Sequence, residues 1–395
     1  MNKRPVWILP ILIFSQFAGT SLWFAGNAII SDLQLHWNLD PASIGYVTSS
    51  VQFGFIAGTL CFAFFAISDL FSPRKVFFIC SILGALANLN IYLFADGLTS
   101  LLIFRFLTGF FLAGIYPVGM KIASGWYKEG LGQAMGFLVG ALVLGTAFPH
   151  LLKGLGETLH WNSVVISVSF MSVFGGLLMF LLVPDGPYLF KGTKFNYKAI
   201  YLIFQSKDLR AASFGYFGHM WEIYTMWAFI PVLLAAYSKL HGNEINISLW
   251  SFIFIASGAL GCFLGGIISK KRGSASVAFY QLVVSGLCCL FSPLLFEVPV
   301  LIFFPILIIW GITAAGDSPQ FSTLTAHTAL KEYVGSALTI ITSIGFLITI
   351  FSIEFVNYIL GFIDPKFVFI LLTPGSIVGL IYFWPLYKKQ LLVKR

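Results

Sequence analysis

The sequence predicts an all-α polytopic membrane protein, with twelve transmembrane helices arranged as two pseudo-symmetric six-helix halves. Three observations predict it: an apolar composition, a succession of apolar runs long enough to cross a bilayer, and a set of residues that recurs some 200 positions later.

Of the 395 residues, 58% are apolar and 10% charged, and the mean hydropathy is +0.91. A soluble domain carries about 25% charged residues, so water is not the main solvent. The apolar runs lack the period-two alternation of a membrane barrel, which leaves helices as the only way to satisfy the backbone in lipid. The five cysteines, Cys61, Cys80, Cys262, Cys288 and Cys289, all fall inside apolar runs without zinc or disulfide spacing and read as packing residues. The N-terminus begins with charge, like a signal peptide. Its apolar stretch runs on too long and lacks a small-residue cleavage site, so it reads as a retained first helix.

Taken in order, runs near residues 5–30, 42–67, 75–95, 98–124, 131–153 and 161–183 supply spans 1 to 6. Runs near 210–238, 247–269, 275–297, 299–325, 334–359 and 366–387 supply spans 7 to 12. Each is of a length that crosses about 30 Å of hydrocarbon. Between the halves, Pro184 and Pro187 break the spacing and four lysines follow. The chain thus divides into an N-terminal bundle (1–183), a cytoplasmic linker (184–209) and a C-terminal bundle (210–395). Residues 200–204 could lie on the membrane surface, though a solvated linker with one short helix is the simpler reading.

The net charge of +8 does not imply nucleic acid, because the basic residues sit in short gaps between spans. Lys153, Lys239 and Lys366 fall on one side and Arg105 inside a span; all the other Lys and Arg residues fall on the side shared by the two termini and the linker. The positive-inside rule makes that side cytoplasmic. A bacterial inner membrane is the expected location.

Gly58, Leu60 and Asp69 match Gly258, Leu260 and Ser269 in order. Gly114 and Pro117 match Gly316 and Pro319, and Lys128-Glu129-x-x-Gly132-x-Ala134 matches Lys331-Glu332-x-x-Gly335-x-Ala337. Three matches in order at a nearly constant offset indicate duplicated halves.

With its span count, long central loop and internal repeat, the whole chain resembles the major facilitator superfamily. The loop after span 2, Ser68-Asp69-Leu-Phe-Ser72-Pro73-Arg74-Lys75, keeps the acid and terminal basic pair of that family's G-x-x-x-D-R-x-G-R-R loop. The resemblance implies a gating role for Asp69 and Arg74, since this loop latches the cytoplasmic side. After span 8, Gly265 and Lys270-Lys271-Arg272 remain, with Ser269 in place of the acid. In span 4, Arg105-Phe-Leu-Thr-Gly109 looks like the family's R-x-x-x-G signature. Gly136, Gly140, Gly145 and Pro149 in span 5 approach the glycine-rich antiporter pattern, but Phe148 replaces the glycine before proline, and small residues there equally mean close packing. AGIYPVGMKIASGW and GYFGHMWEIYTMWAF resemble bacterial facilitators of unassigned substrate. Nitrate carriers are a poor match, because spans 2 and 8 lack an arginine.

A charge near the bilayer centre costs roughly 2.5–3.5 kcal/mol on insertion scales and needs a partner, water or a function. Arg105 in span 4, His219 and Glu222 in span 7, and Asp317 in span 10 lie deepest. The family fold implies that spans 1, 4, 7 and 10 line a central cavity. His219 and Glu222 are three residues apart on one helical face, with Tyr216 a turn before. An apolar surround disfavours the charged form of either group, which suits them to proton exchange or, alternatively, to a static packing pair. Arg105 offers a planar fork to a carboxylate or phosphate, or is neutralised by Glu222 or Asp317. Asp317, in Gly316-Asp317-Ser318-Pro319, suits a cation or latch site or a solvated kink. Gln16 and Asn27 in span 1 could complete a substrate site.

The resemblance therefore implies a secondary active transporter that moves a small organic solute by alternating access, coupled to protons as a symporter, with membrane lipid as solvent and a monomer as the expected state. Efflux of amphipathic compounds and a non-transporting membrane sensor are the alternatives. No enzyme is expected: the chain has no H-E-x-x-H pair and no serine with an obvious base, and neither metal nor cofactor is implied.

Overall fold

The computed structural model describes residues 5–127, 130–156, 160–189, 201, 205–330 and 333–393. Those residues are mostly helical, with no strands among them. Eleven stretches are long and apolar enough to cross a membrane. Span 9 is shorter, an α-helix over Ser274–Leu290 that continues as a 3-10 segment over Ser292–Glu297. Together they supply the twelve predicted spans. The chain divides into two compact units, Met1–Phe195 and Asn196–Arg395. The linker's residues 190–200 and 202–204, the 128–129 and 331–332 pairs of the repeat, and the Asp69 side chain lie outside the described residues.

In the first unit, span 1 is two helices, Ile8–Thr20 and Ala25–Trp37, separated by turns at residues 21–24. Span 4 is likewise two, Leu98–Leu112 and Tyr116–Trp126, with Pro117 near the start of the second. Proline has no N–H to donate and clashes with the preceding turn, so a new helix begins there more easily than the old one continues. Spans 2, 3, 5 and 6 run over Ser43–Phe64, Pro73–Phe94, Leu131–Leu155 and Trp161–Leu182.

In the second unit, span 7 is one unbroken helix of 35 residues, Lys207–His241. Ser206 caps its start by accepting from the Leu209 N–H at 3.3 Å, and Gly242 ends it in the left-handed conformation, φ 64°. Span 8 covers Ile247–Arg272 and span 11 Val334–Leu360. Span 10 breaks at Asp317 between Val300–Gly316 and Ser318–Thr328, just before Pro319. Span 12 opens with a 3-10 segment, Pro365–Leu372, and continues as Thr373–Val393.

The repeat read from the sequence marks the same mechanical feature in each unit. Gly114 lies in the break in span 4 and Pro117 just after it; Gly316 and Pro319 lie just before and just after that in span 10. Close packing also repeats. A Cβ on Gly109 of span 4 would lie 2.0 Å from the Val51 carbonyl oxygen of span 2, and one on Gly311 of span 10 would lie 2.2 Å from that of Phe254 in span 8. The two backbones touch at both places, which only glycine permits.

Candidate functional site

In the first unit the break in span 1 is held by span 4. Arg105 is fully buried. Its Nη1 donates to the Leu22 carbonyl at 3.0 Å and to Asn88 Oδ1 at 3.5 Å, and its Nη2 donates to the Trp23 carbonyl. The turns at residues 21–24 free backbone carbonyls from the helical ladder, and a guanidinium presents several donors in one plane to collect them. Its partners among the described residues are thus carbonyl and amide oxygens. Asn88 is fixed in turn by donating to Ser169 Oγ at 3.0 Å.

Within the break Trp23 Nε1 donates to Gln52 Oε1 at 3.2 Å, and just after it Asn27 Nδ2 donates to Thr48 Oγ1 at 2.6 Å. Asn27 Oδ1 and both amide atoms of Gln16 are buried and have no hydrogen-bond partner among the described residues. Near the loop after span 2, Arg74 Nη1 donates to the Phe180 carbonyl at 3.4 Å and its guanidinium lies 5.8 Å from that ring. Lys121 Nζ donates to the Ser68 carbonyl at 2.6 Å, tying the same loop to span 4.

In the second unit the deep ionisable groups form a cluster that draws on four spans. His219 Nδ1 and Asp317 Oδ1 are 2.8 Å apart, with side chains 3% and 1% exposed. Asp317 occupies the break in span 10, where the interruption brings its side chain to the helix of span 7. Glu222 bonds elsewhere: Ser376 Oγ of span 12 donates to its Oε2 at 2.7 Å, and Ser285 Oγ of span 9 donates to its Oε1. His219 and Glu222 share a helical face, yet residues three apart point about 60° from each other around the axis. That divergence sends one side chain toward span 10 and the other toward spans 9 and 12. The Tyr216 ring centroid lies 5.9 Å from that of His219, and Phe321 lies 6.3 Å away on another side.

Sequence reasoning singled out all four deep ionisable residues but missed Ser285, Ser376 and Asn88. Serine and asparagine are frequent in these spans, and nothing in their spacing marks the ones that meet a charge. No group of three or more metal-binding side chains occurs among the described residues.

Two units of apolar spans, each with polar groups gathered around an interrupted helix, define a multi-pass membrane protein of the solute-carrier class. The chain belongs to the Major Facilitator Superfamily, whose family model matches residues 11–353, and it is a transporter. Over 324 residues it is 24% identical to the protein named "Putative niacin/nicotinamide transporter NiaP" of Bacillus subtilis, an alignment that covers 76% of this chain and 77% of that one. It is 29% identical to the D-galactonate transporter of Escherichia coli O6:H1 over 162 residues, 40% of this chain and 37% of that one. Among solved structures, the human organic anion transporter MFSD10 superposes with a TM-score of 0.72 at 12% identity, covering 96% of this chain and 98% of that one. A bacterial homolog of the human lysosomal transporter Spinster, inward-facing and unoccupied, gives 0.66 at 14% identity and covers 100% and 98%. These two likenesses concern the fold.

Proposed function

We propose that the protein carries a small organic solute across a bacterial inner membrane by alternating access, with both termini cytoplasmic, and that proton movement through Glu222 drives it. The observation that supports this most is the setting of Glu222. It is a carboxyl group 2% exposed, midway along an unbroken span, and two serine hydroxyls hydrogen-bond it. A hydroxyl both donates and accepts, so the same two serines serve the ionised and the protonated carboxyl alike. A group that must bind and release a proton in each cycle needs such a neutral seat, whereas a fixed cation partner would hold it in one state.

His219 and Asp317 are the second proton-holding pair in this reading, placed at the break in span 10 where a change in helix direction would part them. Tyr216 packs beside them. Gln16 and Asn27 supply the unbonded amide atoms that suit a polar solute, and Arg105 organises the break in span 1. Asp69 and Arg74 belong to the loop that latches the cytoplasmic side. The relatives' names, niacin or nicotinamide in one and D-galactonate in the other, support a small organic cargo. The distribution of lysine and arginine supports the orientation.

The test is transport in liposomes with and without a pH gradient, using a metabolite panel that includes nicotinate and D-galactonate. Glu222→Gln is expected to abolish gradient-driven accumulation and to keep counterflow exchange, which needs no net proton movement. Full accumulation by a well-folded Gln variant would remove Glu222 from coupling.

A further inference from the structure

Between spans 1 and 2 of the first unit, two buried amide side chains are each bonded at one end only. Asn27 Nδ2 donates to Thr48 Oγ1 at 2.6 Å, and Gln52 Oε1 accepts from Trp23 Nε1 at 3.2 Å. The partners fix which end of each amide is left over. Thr48 gives its own proton to the Ile44 carbonyl at 2.7 Å, so it can only accept from Asn27, and an indole N–H can only donate. The remaining atoms are therefore an acceptor, Asn27 Oδ1, and a donor, Gln52 Nε2. Neither has a hydrogen-bond partner among the described residues, and the two side chains are 6% and 0% exposed.

The two atoms belong to one strip. Thr48 and Gln52 are four residues apart on the helix of span 2, which separates the two contacts by about 6 Å along its axis. An unpaired buried polar atom is costly, and two neighbours of opposite hydrogen-bonding sense match a group that carries both an N–H and a C=O. A primary carboxamide does, and hydrogen bonds of about 2.9 Å at each end let it bridge that separation. A carboxylate does not: it has no proton for Asn27 Oδ1, and its charge would face that oxygen. Arg105 does not reverse the preference. Its Nη atoms donate to the Leu22 and Trp23 carbonyls and to Asn88, and its Nε lies against Gly26, where a Cβ would be 2.9 Å away.

We propose that Asn27 and Gln52 form a subsite for an uncharged carboxamide of the transported solute, with Asn27 Oδ1 accepting from the amide N–H and Gln52 Nε2 donating to the amide carbonyl. This rests on reading the chain as a carrier of a small organic solute and names the class of solute; it does not depend on which residue couples protons. Arg105 is a positioning residue for the subsite, because it holds the backbone of Trp23, whose indole orients Gln52.

The test measures ligand binding by the full-length protein in detergent, read from the shift of the thermal unfolding midpoint, which assumes neither transport direction nor coupling. The probes are benzamide, N,N-dimethylbenzamide and benzoate, and the same three derivatives in the propionic acid series. The primary amide is expected to bind roughly tenfold more tightly than the dimethylamide, which lacks the proton for Asn27, and than the carboxylate. In Asn27→Ala the primary and dimethyl amides are expected to bind alike, an outcome that a merely structural Asn27 does not produce. If Asn27→Ala does not fold, Asn27→Ser is read the same way. Equal binding of amide, dimethylamide and carboxylate, or a variant that keeps the wild-type preference, would overturn the proposal and leave the carrier reading in place. No shift with any of these probes would overturn it as well and assign the two atoms to a buried water. Failure of the carrier reading is seen separately, as no uptake of any member of the metabolite panel by the liposomes.

Discussion

Span 1 and span 7 open the two halves of a duplicated chain, yet they solve opposite problems. Span 1 is interrupted, and a permanently charged side chain from span 4 fills the interruption with hydrogen bonds to the Leu22 and Trp23 carbonyls. Span 7 is continuous, so its own backbone is satisfied, and its side chains are left to hold ionisable groups: His219 against Asp317, and Glu222 between two serines. In one half a charge serves the backbone; in the other the backbone serves the charges. Spans 4 and 10, by contrast, break at the matching Gly-x-x-Pro positions. Duplicated segments thus keep a break where proline enforces it and diverge where a side chain from another helix must.

The largest effect expected from this contrast is on stability at Arg105. Arg105→Ala leaves the two carbonyls without their donor in a dry interior, at about 1–3 kcal/mol for each. It should give the greatest loss of apparent Tm and of monodisperse protein among these substitutions. Arg105→Lys keeps the charge but not the planar fork, so it should recover part of the loss. A well-folded Arg105→Ala protein with wild-type Tm and no solute binding would reverse the assignment and return Arg105 to the substrate.

A smaller effect on stability, and a larger one on transport, is expected at Asp317. Asp317→Asn keeps the shape at the break in span 10 and can still hydrogen-bond His219, but it replaces a carboxyl group, which can take up and release a proton, with an amide that cannot. Folding should change little, while the pH dependence of uptake should change in form. Uptake with an unaltered pH profile would leave Glu222 as the sole coupling group and sharpen the contrast between the halves.

The part of this structure legible in the sequence is the part governed by local chemistry. The apolar runs, the breaks before Pro117 and Pro319, and the identity of the deep charges follow from composition and from proline's missing donor. The interruption of span 1 does not. Residues 21–24 are Ser-Leu-Trp-Phe, with neither proline nor glycine, and their departure from the helix is matched by donors from Arg105, which lies 83 positions from Leu22. The partners of Glu222 were hidden for the same reason. Ser285 and Ser376 are 63 and 154 positions away, and only the packing of spans 9 and 12 around span 7 selects them from the many serines in the chain.

The smallest effect is expected where a charge has solvent instead of protein for a partner. Lys389 and Asp208 form an ion pair of 2.5 Å between the end of span 12 and the start of span 7, with side chains 62% and 38% exposed. By distance alone it is shorter than the buried pair of His219 and Asp317 at 2.8 Å. Length does not set its worth, because water and salt screen an exposed pair and both side chains lose rotamer freedom to make it; such pairs contribute about 0.2–1 kcal/mol. Lys389→Ala should therefore shift the apparent Tm by less than any of the buried substitutions, and added salt should erase what shift there is. The decisive measurement is a Tm series at low and high ionic strength for Lys389→Ala beside Asp317→Asn and Arg105→Ala. A salt-independent loss at Lys389 as large as that at Arg105 would mean that the junction of spans 7 and 12 is locked by charge, and the contrast between an exposed and a buried cation would fail.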